Sequence, residues 1–208
     1  NRLVVKSPEK YIDEAVHRIY DIHGGVSAEP LMAFFPDEGA MKRASLLSDM
    51  LGGIPVASFY KQRDYTKLEN GHHPIIEHRF LGPDSLEGKD VIVADDMIAS
   101  GGSLLDTSER LKKLKANRIF LIATFALFTN GPDKFDLFYK KKYFDRVYAT
   151  NLSYVPENIR KKEWFTLIDC SYKLSYVINE LNQGHSISSI LDGEANIIEK
   201  LKDVNIWN

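Results

Sequence analysis

The sequence predicts an α/β domain with a mainly parallel sheet and helices on both faces. Three observations carry that prediction. Short apolar runs of strand length alternate with segments patterned at helical spacing. Several of these runs, such as Val91–Ala94, are continuously apolar, as in strands covered on both sides. Strand, turn and helix follow one another as in the first half of a βαβ unit. No repeat, low-complexity tract or clear linker interrupts the 208 residues, so 1–208 reads as a single domain.

Ser7-Pro8-Glu9 opens a helix with a capping serine, a proline at the first helical position and an acid beside the dipole. Ile12, Ala15, Val16, Ile19 and Tyr20 give it an apolar face, and Gly24-Gly25 ends it. Leu31–Phe35 is an apolar strand. Pro36-Asp37-Glu38-Gly39 turns it into a helix over about 40–51, stopped by Gly52-Gly53. Asp37 is at the carboxyl end of its strand, where open α/β sheets place ligands, and equally where a helix cap would sit. The next strand is Ile54–Tyr60. Lys61-Gln62-Arg63-Asp64 follows as a loop at its carboxyl end, and the polar stretch 65–74 reads as a loop mobile over a site. His72-His73 has no partner at metal-ligand spacing and is assigned to the surface.

Ile75–Leu81 is a further strand. A helix after Ser103 buries Leu104, Leu105, Ser108, Leu111 and Leu114, with Lys112, Lys113 and Lys115 complementing the dipole at its end. Arg118–Ala126 is a core strand whose following turn, 127–132, lies at the same rim as Asp37 and Asp95. A short helix over 133–141, strands over 146–150 and 164–168, a loop marked by Pro156 and a helix over 172–183 complete the pattern. Ser186 starts a last short helix.

Composition narrows the function. The chain is 44% hydrophobic and 27% charged, with a net charge of −2, an ordinary globular balance with no global field for nucleic acid or an anionic membrane. The run Lys140-Lys141-Lys142 lacks the glycine and aromatic interleaving of an RNA site and reads as a solvated helix end. No apolar run approaches the roughly 20 residues of a membrane span. One cysteine, Cys170, excludes an intrachain disulfide, fits a reducing cytoplasm and reads as a buried, inert thiol.

The chemistry concentrates in Val91-Ile92-Val93-Ala94-Asp95-Asp96-Met97-Ile98-Ala99-Ser100-Gly101-Gly102-Ser103. An apolar strand runs into two adjacent carboxylates, expected at its end, and then into a small-residue turn that opens a helix. Glycine tolerates the dihedrals that aim backbone N–H groups at an anion, and Ser103 reads as the N-cap of a helix whose first turn attracts negative charge. Carboxylates for ribose hydroxyls or a metal, beside a helix start for a phosphate, specify a sugar phosphate. Without Gly-Lys-Ser/Thr after the glycines this is no Walker A loop, and the two preceding acids separate it from a dinucleotide fingerprint.

These residues resemble the phosphoribosyl pyrophosphate signature of type I phosphoribosyltransferases and ribose-phosphate diphosphokinases. From about Phe34 to Leu191 the chain is similar to the C-terminal part of the diphosphokinase family. The motifs are Pro-Asp-Glu-Gly-Ala at 36–40, Phe-Tyr-Lys-Gln-Arg-Asp-Tyr at 59–65, the Asp95-Asp96 signature, Ala-Thr-Phe-Ala-Leu-Phe-Thr-Asn-Gly at 123–131 and Thr-Asn-Leu-Ser-Tyr at 150–154. The resemblance implies a type I phosphoribosyltransferase-like fold and a reaction in which the 1-hydroxyl of ribose 5-phosphate attacks the β-phosphorus of Mg-ATP.

By resemblance, Asp37 is linked to Mg2+, and Lys61 and Arg63 stabilise the transferring diphosphoryl group, with Gln62 between them in place of a cation. Asp95 and Asp96 match the ribose-hydroxyl pair, and Ala99, Ser100, Gly101, Gly102 and Ser103 match the 5-phosphate loop. In the commoner loop an acid stands at Ala99 and an alanine at Gly101. Family members are usually homo-oligomers, dimers or hexamers. The motifs of the family's N-terminal ATP-binding half, and a magnesium-linked histidine motif, have no counterpart here. The sequence, which begins with Asn1, is therefore read as the C-terminal part of a longer two-domain chain. Two other readings share the motif: a type I phosphoribosyltransferase acting on a nucleobase, and a non-catalytic module that senses phosphoribosyl pyrophosphate.

Overall fold

The computed structural model describes residues 31–35, 53–63 and 75–188, together with Ser48 and Thr66. Its strands are β1 (Leu31–Phe35), β2 (Val56–Arg63), β3 (Ile75–Leu81), β4 (Asp90–Ile98), β5 (Ile119–Ala126), β6 (Arg146–Thr150) and β7 (Phe165–Ile168). They form one seven-stranded sheet in the order β3-β2-β1-β4-β5-β6-β7. Every neighbouring pair is parallel except β2 and β3, which form an antiparallel edge. The helices are α1 (Gly102–Lys113), α2 (Asp133–Lys140), the single turn α3 (Glu157–Arg160) and α4 (Ser171–Asn182). Outside the described residues lie the helix begun at Ser7, Asp37, most of the helix over 40–51, the 65–74 loop apart from Thr66, His72-His73 and the chain beyond 188.

The central strands explain the apolar runs. Successive strand residues point to opposite faces, yet Asp90–Ala94 of β4 and Ile119–Thr124 of β5 are all buried. Both faces of the sheet are therefore covered here. α1 packs on β4 and β5 with Leu104, Leu105, Ser108 and Leu111 buried, the face that helical spacing predicts. At the start of β4, buried Asp90 accepts from the Arg118 guanidinium and backbone N–H and from the Asn117 carboxamide, which ties β4 to β5. The carboxylate holds the Arg118 pKa above its usual value.

Three sequence expectations are corrected. β4 does not end at the two acids: its ladder to β5 runs Asp95↔Ala123, Met97↔Phe125 and Ile98↔Ala126, so the backbone stays extended where the apolar run stops. Lys61, Gln62 and Arg63 are not a loop. They continue β2 because β3 pairs with them as Lys61↔His78, Gln62↔Glu77 and Arg63↔Ile75. Ser103 does not cap α1; the N-cap is Gly101. A smaller difference is α3, which Pro156 initiates where only a loop was expected.

Candidate functional site

The sheet has one place where strand order reverses. From β1 the chain goes outward to β2 and β3, and from β4 it goes the other way to β7. Such a switch point is where open α/β sheets bind ligands, outside the carboxyl ends of the strands. The registers Phe35↔Ser58 and Phe34↔Val93 put the end of β1 level with Ser58 on β2 and Ala94 on β4. Beyond that level β2 continues through Phe59–Arg63 and β4 through Asp95–Ile98. The backbones of Lys61 and Arg63 and of Asp95 and Asp96 therefore stand on one rim, on the two strands that flank β1. Asp37, two residues past β1, lies outside the described residues.

On β4 the burial pattern changes at the acids. Asp95 is half-buried and Asp96 exposed, so the strand emerges from its cover here. The two side chains leave opposite faces of the strand, and the Asp95 carboxylate accepts from the Asp96 N–H at 2.9 Å. Ala99 and Ser100 follow as exposed bend residues.

Gly101 then turns the chain into α1. Its φ of 80° and ψ of −2° are left-handed, the region that disfavours a Cβ. Its carbonyl accepts the first helical bond, from the Leu105 N–H at 3.0 Å. The first N–H groups of any helix have no partner within it. Among the described residues no side chain caps them in α1, and no acid sits in its first turn. Ser103 is exposed, and among the described residues a Cβ at Gly102 would meet only Ser100 Oγ, at 3.8 Å. Free amide donors, the positive end of a helix dipole and room in front of them suit an anion.

The turn after β5 braces this loop. Leu127 and Phe128 donate N–H bonds to the Ile98 carbonyl, at 2.8 and 3.4 Å, and Thr129 donates to Ala99 at 2.9 Å. Phe128 reaches these bonds through a left-handed φ of 46° and is buried against Phe135 and Phe165. Residues 127–129 are thus joined to the end of the strand that carries Asp95, by backbone rather than side chains; the Asp37 side of the expected rim lies outside the described residues. Further along the rim, the Thr150 hydroxyl donates to the Thr124 carbonyl at 2.6 Å, and Ser153 Oγ accepts from the Ala126 N–H at 3.0 Å. The Asn151 carboxamide donates to Asp169 and Ser171 and accepts from the Cys170 N–H. The Thr-Asn-Leu-Ser-Tyr motif therefore ties β5, β6 and β7 together at their carboxyl ends, and Cys170 is buried as expected.

Residues 8–157 match the phosphoribosyl transferase domain family. The chain belongs to that family. As a phosphoribosyl transferase domain it is 27% identical over 172 residues to the ribose-phosphate pyrophosphokinase of Vibrio vulnificus, covering 83% of this chain and 51% of that protein. Over 96 residues it is 33% identical to the ribose-phosphate pyrophosphokinase of Thermococcus kodakarensis, covering 46% of this chain and 31% of that protein. The crystal structure of phosphoribosylpyrophosphate synthetase from Mycobacterium smegmatis has the same fold, with a TM-score of 0.65 at 22% identity over 85% of this chain and 51% of that one. The chain spans about half the length of the longer-matching relatives, 51% of the protein in Vibrio vulnificus and 53% in Prochlorococcus marinus.

Sequence reasoning singled out the glycine turn but not its support. Phe135, which packs against Gly101, and Trp164, stacked on Phe135, look in the sequence like any other core aromatics. The one available signal was Gly101 itself, a glycine where the commoner loop carries alanine.

Proposed function

We propose that this chain is the ribose 5-phosphate-binding part of a ribose-phosphate diphosphokinase, a single phosphoribosyltransferase-like domain from the C-terminal side of a longer two-domain protein. One observation carries the reading: an acid pair and an open helix start follow one another on the strand at the sheet's switch point, in a member of the phosphoribosyl transferase domain family. The 5-phosphate sits on the amides of the Gly101-Gly102-Ser103 turn, bordered by Ala99 and Ser100. Asp95 and Asp96 accept from the ribose hydroxyls.

With the sugar so held, its 1-hydroxyl attacks the β-phosphorus of Mg-ATP. The bond from the β-phosphorus to the α,β-bridging oxygen breaks, AMP leaves, the hydroxyl proton passes to solvent, and phosphoribosyl pyrophosphate forms. The transfer needs alignment and charge neutralisation more than covalent help from the protein. Lys61 and Arg63 on β2 supply positive charge opposite the acids, and Asp37 is the proposed contact of the magnesium that accompanies ATP. Among the described residues no group of three or more His, Cys, Asp or Glu side chains converges as a metal site. The partners of the whole protein are ribose 5-phosphate, ATP and further copies of itself.

Titration calorimetry on residues 1–208 tests the reading. Ribose 5-phosphate binds, Asp95→Asn weakens it about tenfold, and ATP-dependent formation of phosphoribosyl pyrophosphate is little or none. Absence of ribose 5-phosphate binding refutes the site, and turnover at the rate of full-length enzymes refutes the division of labour. Pyrophosphate release that depends on an added nucleobase would identify a phosphoribosyltransferase instead.

A further inference from the structure

Gly101 is constrained twice. Its backbone is left-handed, and a Cβ built on it would lie 2.3 Å from both Cε2 and Cζ of Phe135. The ring cannot easily yield. Phe135 is fully buried in the first turn of α2, stacked on Trp164 at 5.3 Å and 19°, with Phe128 edge-on at 5.0 Å and Phe144 edge-on at 6.2 Å. Trp164 is itself fixed, because its indole N–H donates to Asp136 Oδ1 at 2.7 Å while Lys162 holds Oδ2 at 2.6 Å. The other side of the turn is held by the bonds from Leu127, Phe128 and Thr129 to Ile98 and Ala99.

We infer that Phe135 is a positioning residue for the anion-binding turn. Its ring fills the space that a Cβ at position 101 would need and forms the floor on which Gly101 sets the amides of Gly102 and Ser103. Glycine at 101 and phenylalanine at 135 are thus one reciprocal unit, and the aromatic stack with its Asp136 latch transmits the rigidity of the β7 side to the phosphate end of the site. The inference rests on the proposed phosphate role of the turn for its function, and on packing alone for its mechanics.

The test is a double-mutant cycle in the 208-residue chain. Leucine at 135 keeps an apolar stem but lacks atoms corresponding to Cε2 and Cζ, so F135L opens the space that a Cβ at 101 would need. G101A weakens ribose 5-phosphate at least tenfold, F135L weakens it severalfold, and G101A/F135L binds better than G101A alone. Hydrogen exchange in the ligand-free protein supplies a second readout: F135L speeds exchange at Leu105, whose N–H is bonded to the Gly101 carbonyl, while the amides of β5 keep their rates. Ligand affinity and first-turn exchange unchanged by F135L, or strictly multiplicative losses in the double variant, overturn the inference. If the parent chain fails to bind ribose 5-phosphate but F135L still speeds exchange at Leu105, the floor stands and only the assigned ligand falls. Should G101A prove too unstable to purify, F135L alone decides: faster exchange at Leu105 and weaker binding support the floor, and parental values of both overturn it.

Discussion

At the scale of single residues, Asp136 links the elements beneath the site. It receives one bond from Trp164 and one from Lys162, so α2 and the approach to β7 share a carboxylate. Partial burial alone would raise its pKa, but the bonds from Lys162 and Trp164, with the charges of Lys162 and Lys140, outweigh that and hold it below the usual carboxylate range. A carboxyl depressed only in the folded state takes up protons first in the unfolded one. Its contribution is therefore complete above the unfolded value of about 4, declines as pH falls below it, and is lost once the folded value is passed. In Asp136→Asn the amide oxygen still accepts from Trp164, so the loss is that of the charged pair. The expected cost is roughly 1 kcal/mol at neutral pH after solvent screening of a partly exposed group. Urea unfolding across pH checks it: the gap between Asp136→Asn and the parent chain is full at pH 7 and closes below about pH 4. A gap that is constant with pH rejects the charge as the latch.

At the scale of elements, the start of α1 separates what residue types announce from what neighbours decide. The sequence places a serine before a helical apolar face, the usual signature of an N-cap. The structure instead begins the helix at Gly102 and leaves Ser103 exposed inside its first turn, because Gly101 supplies the left-handed turn. Ser103→Ala therefore changes stability by less than about 0.5 kcal/mol, whereas loss of a true serine cap costs about 1 kcal/mol. Thermal unfolding of the variant distinguishes the two, and a full capping loss would restore Ser103 to that role. The same division explains the strands. The apolar runs of β1, β4 and β5 were legible because burial on both faces demands them. The extension of β4 through Asp95–Ile98 was not, since it depends on hydrogen bonds from β5 that no local pattern records. Lys61–Arg63 looked like a loop for the same reason: pairing with β3 across an edge tolerates charge. The acids, the turn and the two cations were identifiable by type; that their backbones share one rim follows only from strand order and register.

At the scale of the whole molecule, stability is spread unevenly along the sheet. β4 and β5 hold consecutive buried residues, are paired on both sides and carry α1. At the far end α4 has no buried residue, with Tyr172 at 81% and Ile178 at 58% exposure. Backbone bonds open locally where few apolar contacts must break, and only with the whole fold where many must. Amides of Val91–Ala94 and Ile119–Thr124 should thus exchange only through global unfolding, and those of Tyr176–Asn182 at least a hundredfold faster. Hydrogen exchange followed by mass spectrometry gives both rates in one experiment. The candidate site grows out of the most protected strand, so an anion held on the first turn of α1 draws on a scaffold that does not move when α4 frays. Saturating ribose 5-phosphate at about 100 times its Kd should then add about 2.7 kcal/mol to global stability, slowing exchange in β4 and β5 by that amount while α4 keeps its rate. Equal slowing in α4 would show that the helix opens with the core and that the sheet is a single cooperative unit from the site to its far edge.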